Sequence, residues 1–251
     1  MAGRSGLGFG GKVAVGGFLL GLVAAVLAAG SGLGNRFGFW TYREGFSALE
    51  WIVYVGATAA VISLVGAALS WKGARIALVL ALVGLVLGAA VAWIPYKTRM
   101  ALRASPRLAD ITTDMTNPPA FVAMLPVRTA DKARNSTDYS PDKAALQAKN
   151  YPDIKPVMLP LPSEAAFDKA LAAVKGTGLR IIAADKSAGR IEATATTFWF
   201  GFKDDVVVRV AAAPGGTGSK VDIRSTSRVG VREAGTNAAR VRKIATAIAA
   251  K

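Results

Sequence analysis

Asp204 and Asp205 stand side by side in the stretch TTFWFGFKDDVVVRV, residues 196–210. Two neighbouring carboxylates can push one pKa up and divide acid and base roles between them. The competing use is turn chemistry at a solvated hairpin tip. Asp110, Asp114 and Asp153 are the other carboxylate candidates. A hard cation would want several such oxygens, whereas acids on an irregular segment often bond their own backbone. Ser225 and Ser227 could act as nucleophiles, but the chain contains no histidine and no cysteine. Thiolate chemistry, Zn–Cys sites and disulfides are therefore excluded, and the commonest general base near neutral pH is missing. The glycine-rich PGGTG at 214–218 joins two strand patterns, so no helix start follows it to hold phosphate. No catalytic constellation emerges, and no metal or cofactor is implied.

A contact surface is the stronger expectation. Trp199, Phe200 and Phe202 crowd beside Lys203 in that same stretch, and Arg209, Arg224 and Arg228 lie on the strands that follow. Together with Arg232, Arg240 and Arg242 they make this end of the chain strongly basic. Anionic lipid headgroups and an acidic protein partner both fit such a surface. A solvated face laced with cross-strand ion pairs fits it as well. Nucleic acid would leave the same footprint, but the expected location outside the cytoplasm argues against it.

The elements that position these residues begin with a membrane part. The chain is 52% hydrophobic, and the excess lies in the first hundred residues. Residues 12–33, 49–71 and 75–96 each hold an apolar run long enough to cross a hydrocarbon core of about 30 Å. Trp51, Trp71, Trp93 and Tyr96 sit near the span ends as interface anchors should. Gly17 and Gly21, then Gly84 and Gly88, form small-xxx-small patterns that permit close helix packing. No span carries an ionisable residue at its centre, which argues against transport. Arg4, Lys12, Lys72 and Arg75 would share one side, and the positive-inside rule makes that side the cytoplasm. Three spans then place the C-terminal domain outside, in the periplasm of a bacterial inner membrane. Lys97, Arg99, Arg103 and Arg107 run against this orientation. The aromatic connector at 34–48 is expected in the headgroup layer.

From Tyr96 onward the chain carries 25 basic and 14 acidic residues, a soluble part with a surplus of positive charge. Residues 97–154 are rich in proline and read as an extended segment that spaces or wraps a domain. Residues 155–251 then read as strand, helix, four strands, helix. Ser163 is the expected N-cap of the first helix, and Thr236 or Asn237 of the last. Pairing Val208 with Ile223 sets Val210 against Val221 and Arg209 against Asp222, which gives one apolar and one charged face. The expected fold is an α+β domain, an antiparallel sheet with two helices on one face and the charged, threonine-rich face open. The reversal between residues 198 and 205 makes WFGFKD a hairpin tip, with Gly201 at the turn.

Four segments carry a resemblance: ADITTDMTNPPAF at 109–121, YPDIKP at 151–156, GRIEATATTFWFGFKDDVVVRV at 189–210 and VDIRSTSRVGVREAGTNAARVRKI at 221–244. From about residue 107 to the end, the chain resembles the bacterial DUF1499 family of unknown function, in a version anchored by three spans. Other members resemble exported lipoproteins, which implies the outer side. The resemblance implies no activity.

The expected function is that of a non-enzymatic accessory or structural protein in a larger membrane complex, with membrane lipids and other subunits as partners. The alternative is a lipid-binding or small-anion-binding module on the open sheet face. A hydrolase using Asp204, Asp205 or Ser225 comes third.

Overall fold

The computed structural model describes residues 7–232 and 234–250; Arg4 of the loop-charge argument lies outside the described residues. The chain forms two compact units. One holds the helices up to Met100 together with Phe198–Gly201, and the other holds Ala101–Thr197 and the residues from Phe202 on.

Three helices make the first unit: α1 (Phe9–Arg36), α2 (Tyr42–Ser70) and α3 (Arg75–Ala104). All three are long and apolar enough to cross a membrane. Each runs past its apolar stretch. The second half of the aromatic connector is already helix α2, because the Thr41 N–H donates to Glu44 Oε2 at 2.7 Å and closes the first turn. Helix α3 passes through Pro95 and continues for a polar turn and more. The glycines do bring the helices together. A Cβ on Gly17 would fall 2.7 Å from the Ser63 backbone N, and one on Gly84 2.7 Å from Phe18 Cα. One on Gly88 would fall 2.6 Å from the Gly56 carbonyl. Backbone therefore meets backbone at distances that no larger residue allows. Within the chain, only 28%, 33% and 28% of the three apolar windows are buried. Trp51, Trp71, Trp93 and Tyr96 are all exposed near the ends of the apolar runs.

The second unit is built on a six-stranded sheet of β1 (Asp110–Thr112), β2 (Val157–Leu159), β3 (Arg180–Asp185), β4 (Arg190–Thr196), β5 (Lys203–Ala212) and β6 (Ser219–Ser227). The order is β1-β6-β5-β4-β3, all antiparallel, and β2 shares the outer edge of β6 with β1. Val208 faces Ile223, Val210 faces Val221 and Arg209 faces Asp222, the register that the alternation predicts. Helices α6 (Ser163–Gly176) and α7 (Thr236–Ala249) pack on one face. Phe167, Ala170 and Val174 of α6 and Val241, Ile244 and Ile248 of α7 bury against Ile191, Val206, Val208 and Ile223. The caps lie one residue earlier than expected. Ser163 and Thr236 open their helices, and Pro162 and Gly235 precede them.

The segment at 97–154 belongs, from Ala101 on, to the sheet unit. Of the two expected roles it wraps the domain and does not space it, and it is not extended, because it contributes β1, α4 (Met124–Ala130) and α5 (Pro141–Asn150). Its prolines forbid a long helix but suit short ones. Pro141 opens α5, where its missing N–H costs nothing, and the Ser140 hydroxyl accepts from the Lys143 N–H. Gln147 of α5 then pairs with β1 as a further strand would, accepting from Thr112 N at 2.9 Å and donating to Thr112 O at 2.5 Å.

The charged, threonine-rich face is not open as expected. Phe121 and Met124 pack on Val207, and Arg128 reaches Asp205, so α4 and its flanks cover the charged side of the sheet. Glu192, Thr194, Asp205, Asp222, Arg224, Thr226 and Arg228 are all buried there. Helices and loops thus cover both faces.

Candidate functional site: the covered charged face

Period-2 alternation sends Asp205, Arg209, Asp222, Arg224 and Arg228 to the same side of the sheet. Burying charge is costly unless each charge is paired and hydrogen-bonded, and the face meets that condition in three clusters.

The first is centred on Asp205. Arg128 Nη1 donates to its Oδ2 at 2.6 Å, Arg228 Nη2 to its Oδ1 at 2.7 Å and the Thr194 hydroxyl to Oδ1 at 3.0 Å. Arg228 also reaches Asp131 at 3.0 Å, and Lys203 closes on the other Asp131 oxygen at 2.7 Å. Burial opposes ionisation of Asp131, but Lys203 and Arg228 prevail and hold its carboxyl below the usual range.

Arg224 centres the second cluster. Its guanidinium grips Asp110 with both tines, Nε to Oδ1 at 2.9 Å and Nη2 to Oδ2 at 2.8 Å. It also donates to the Pro119 and Thr137 carbonyls. The rings of Phe121 and Tyr139 lie 5.4 and 5.5 Å from it, a bidentate and stacked site that suits arginine and not lysine. Burial, with the Asp110 carboxylate beside it, pushes the Tyr139 phenol up. It stays protonated and donates to Gln147 Oε1 at 2.8 Å.

The third cluster joins Arg209, Lys220, Asp114 and Asp222. Arg209 contacts Asp222 at 2.7 Å, and Lys220 contacts Asp114 at 2.6 Å. Asp114 Oδ1 accepts from the backbone N–H groups of Thr116 and Asn117, which is the turn role weighed against cation binding.

Glu192 stands apart from the three. Its carboxylate accepts from the N–H groups of Val122, Ala123 and Met124 at 2.9, 3.0 and 2.7 Å. These are the donors that the start of α4 leaves without a helical partner. One buried acid therefore fixes the covering helix to the sheet.

The residues singled out for chemistry are scattered. Asp110, Asp114 and Asp153 serve separate sets of cations, Arg224 with Lys143, Lys220 with Arg209, and Arg242 of α7. Among the described residues no group of three metal-ligating side chains forms. Asp204 and Asp205 are not the tip of a hairpin, because both belong to β5 and are buried. Adjacent strand positions point to opposite faces, so Asp204 meets Arg240 at 2.7 Å while Asp205 meets Arg128 and Arg228. They do not form a like-charge pair. Ser225 is buried, and its hydroxyl donates to Asn237 Oδ1 at 2.6 Å and accepts from Arg240. Asn237, expected as a cap, instead bonds Ser225 and Ser227 across to β6.

The aromatic contact surface divides too. Arg224 and Arg228 are buried and cannot serve a docking patch, whereas Arg209 and Lys203 stay partly exposed. Gly201 turns the β4–β5 connection with φ +67°, and the Thr197 N–H bonds the Phe202 carbonyl. Lys203 lies in β5 rather than in the turn. Within the helical unit, Trp199 Nε1 donates to the Ala29 carbonyl at 3.1 Å. Asn35 Nδ2 donates to the Phe200 carbonyl at 2.6 Å. The Phe200 ring lies 4.6 Å from that of Phe46. Gly32 and Gly45 make the room, since a Cβ on Gly32 would fall 2.3 Å from Trp199 Cδ1. Trp199 and Phe200 thus occupy a socket made by α1 and α2, and Phe198 alone at the tip is widely exposed.

Sequence reasoning found the Arg209–Asp222 pair, because period and register imply it. It missed Arg128, Asp131, Glu192, Lys220 and Gln147. Their partners lie 68 residues or more away for Glu192, Arg128 and Lys220, and no local pattern announces such a pairing.

A family model described as "Protein of unknown function (DUF1499)" matches residues 110–248, more than half of the chain. No curated protein and no solved structure matches it. The matched segment opens on the first residue of β1 and closes in the last turn of α7, so it takes in the sheet and both of its covers. The chain belongs to the DUF1499 family, with three membrane-length helices ahead of the family domain.

Proposed function

We propose that this protein is a non-enzymatic, membrane-anchored accessory protein that works within a larger bacterial membrane assembly. The observation that carries this reading is the use made of the candidate side chains. Asp110, Asp114, Asp204, Asp205, Ser225, Arg224 and Arg228 are all engaged in ion pairs or hydrogen bonds within the sheet and with the segments that cover its two faces. What remains for interaction is the outer surface. About two thirds of each apolar helix window is uncovered by the chain itself, including Val61, Leu64 and Val86. Lipid and neighbouring helices are the partners that such surfaces accept, and an acidic protein suits the surplus of basic charge on the domain.

In mild-detergent extracts the protein should migrate well above the 25.9 kDa of one chain. Cross-linkers placed at Val61 or Val86 should capture neighbouring subunits. A monomer that yields no cross-linked protein from either position would end this reading.

The proposed orientation places the N-terminus in the cytoplasm and the DUF1499 domain in the periplasm, from the basic residues of the short loops. The absence of cysteine makes the test clean. A single cysteine at Thr217 should react with an impermeant maleimide on intact cells, and one at Gly73 should not. The reverse pattern would invert the topology.

A further inference from the structure

We propose that a groove of about 290 Å³ beside β1 is a binding site for a phosphate-type oxyanion. Its lining includes three cations, Arg107, Arg134 and Lys143, and one acid, Asp110. That acid does not repel an anion, because Arg224 grips both of its oxygens and Lys143 adds a contact at 3.2 Å. Among the described residues the side chains of Arg107 and Arg134 have no ion-pair or hydrogen-bond partner, and both are exposed. This sets them apart from Arg128, Arg209, Arg224, Arg228, Arg240 and Arg242 of the same unit, each of which is paired with an aspartate.

Two unpaired guanidinium forks, carried by residues that line one groove, match the oxygens of a phosphoryl group, which they can bond in pairs. Lys143 contributes a third positive charge from a fixed position, held by Asp110 and by the Asp138 carbonyl. Leu108 and Val231 add apolar lining, so the ligand class is a phosphate ester with a small organic group. The volume lies near the lower end of the range for small-molecule sites, about 300 Å³ and upward. A soluble phosphate ester and a phospholipid headgroup share this chemistry. The site differs from the charged sheet face, which is covered, and it does not depend on the proposed accessory role.

Binding of three probes to the full chain in a neutral detergent separates the sources. The probes are glycerol 3-phosphate, dihexanoylphosphatidylglycerol and, as zwitterionic control, dihexanoylphosphatidylcholine. Titration calorimetry should show binding of at least one anionic probe, weakened about tenfold or more in Arg107→Ala/Arg134→Ala. Lys175→Ala, an exposed cation on α6, should leave binding unchanged. Binding of glycerol 3-phosphate identifies a soluble ester, and binding of the phosphatidylglycerol alone identifies a headgroup. The proposal is overturned if neither anionic probe binds, if the control lipid binds equally well, or if the double variant binds like wild type. Both arginines are exposed, so the double variant should fold. An unchanged melting temperature verifies that any loss is one of binding.

Discussion

Arg228, one residue past the end of β6, meets Asp205 of β5, with Nη2 2.7 Å from Oδ1 and Nε 2.9 Å from Oδ2, and both are buried. A pair in this setting does not add stability in proportion to its Coulomb attraction, because desolvation offsets most of the gain. Its removal is asymmetric. Arg228→Ala leaves Asp205 with Arg128 as its one cation beside the Thr194 hydroxyl and strips Asp131 of one partner. We expect a loss of about 3–5 kcal/mol in the unfolding free energy of the sheet domain. Arg228→Lys should recover only part of it, since an ammonium cannot reproduce the fork. Urea titration of both variants checks this, and a loss under about 1 kcal/mol for the alanine variant would mean that the cluster contributes little.

Glu192 ties α4 to β4 through three backbone N–H groups. Glu192→Ala leaves those donors, of which the Met124 N–H is buried, without their acceptor, at a cost on the order of 2–4 kcal/mol. The cost should appear locally first. Hydrogen exchange at residues 122–130 should accelerate while the β5–β6 ladder stays protected. Uniform acceleration throughout the domain would show that α4 and the sheet unfold as one.

In the helical unit the close approaches set the predictions. Gly32→Val should displace Trp199 from its socket, so a protease should cut within Phe198–Gly201 faster than in wild type. Gly84→Leu should separate the helices, because its Cβ would fall 2.5 Å from Ser63 Oγ and 2.7 Å from Phe18 Cα. We expect a lower melting temperature in detergent for Gly84→Leu and little change for Gly16→Leu, whose Cβ meets open space. Equal effects would show that hydropathy and not packing governs stability here.

The pH dependence follows from three carboxylates. Burial works against ionisation at Asp114 and Asp131, but Lys220 at the first and Lys203 with Arg228 at the second hold both below the usual range. At Asp153 the Arg242 fork is the main cause. A depressed folded pKa contributes stability that is present above the unfolded value, about 3.9, and is lost as pH falls through the folded value. Lys220 is raised by Asp114, so its contribution is present below about 10.4 and lost as pH climbs through the folded value. With no histidine or cysteine to titrate between these limits, urea midpoints should stay level from pH 5 to 9 and fall below about pH 4. Asp114→Asn should make the acid limb shallower. A midpoint that moves between pH 6 and 8 would contradict this assignment.

Local signals in the chain suffice for the helices and for the central strand pairing. Three uninterrupted apolar runs define the helices, since only an internally bonded helix of that length suits a hydrocarbon core. Alternation around Val208 and Ile223, with PGGTG between the strands, fixed register, because a slip of one residue would turn every valine outward. The wording at 109–121 and 221–244 was enough to suggest the family.

Tertiary structure alone decided what the polar side of that alternation faces. Arg224 of β6 and Asp110 of β1 are 114 residues apart, and Glu192 lies 68 residues from the Met124 amide it caps. A period of two states that Asp205, Arg224 and Arg228 share a face, and the same pattern describes a solvated face or a buried, fully paired one. The proline-rich stretch before residue 155 settles the matter by folding over the charges. Pro141 starts a helix there instead of preventing one. Burial is a property of the assembled layers, and the energy that makes it acceptable here comes from partners that no stretch of sequence holds together.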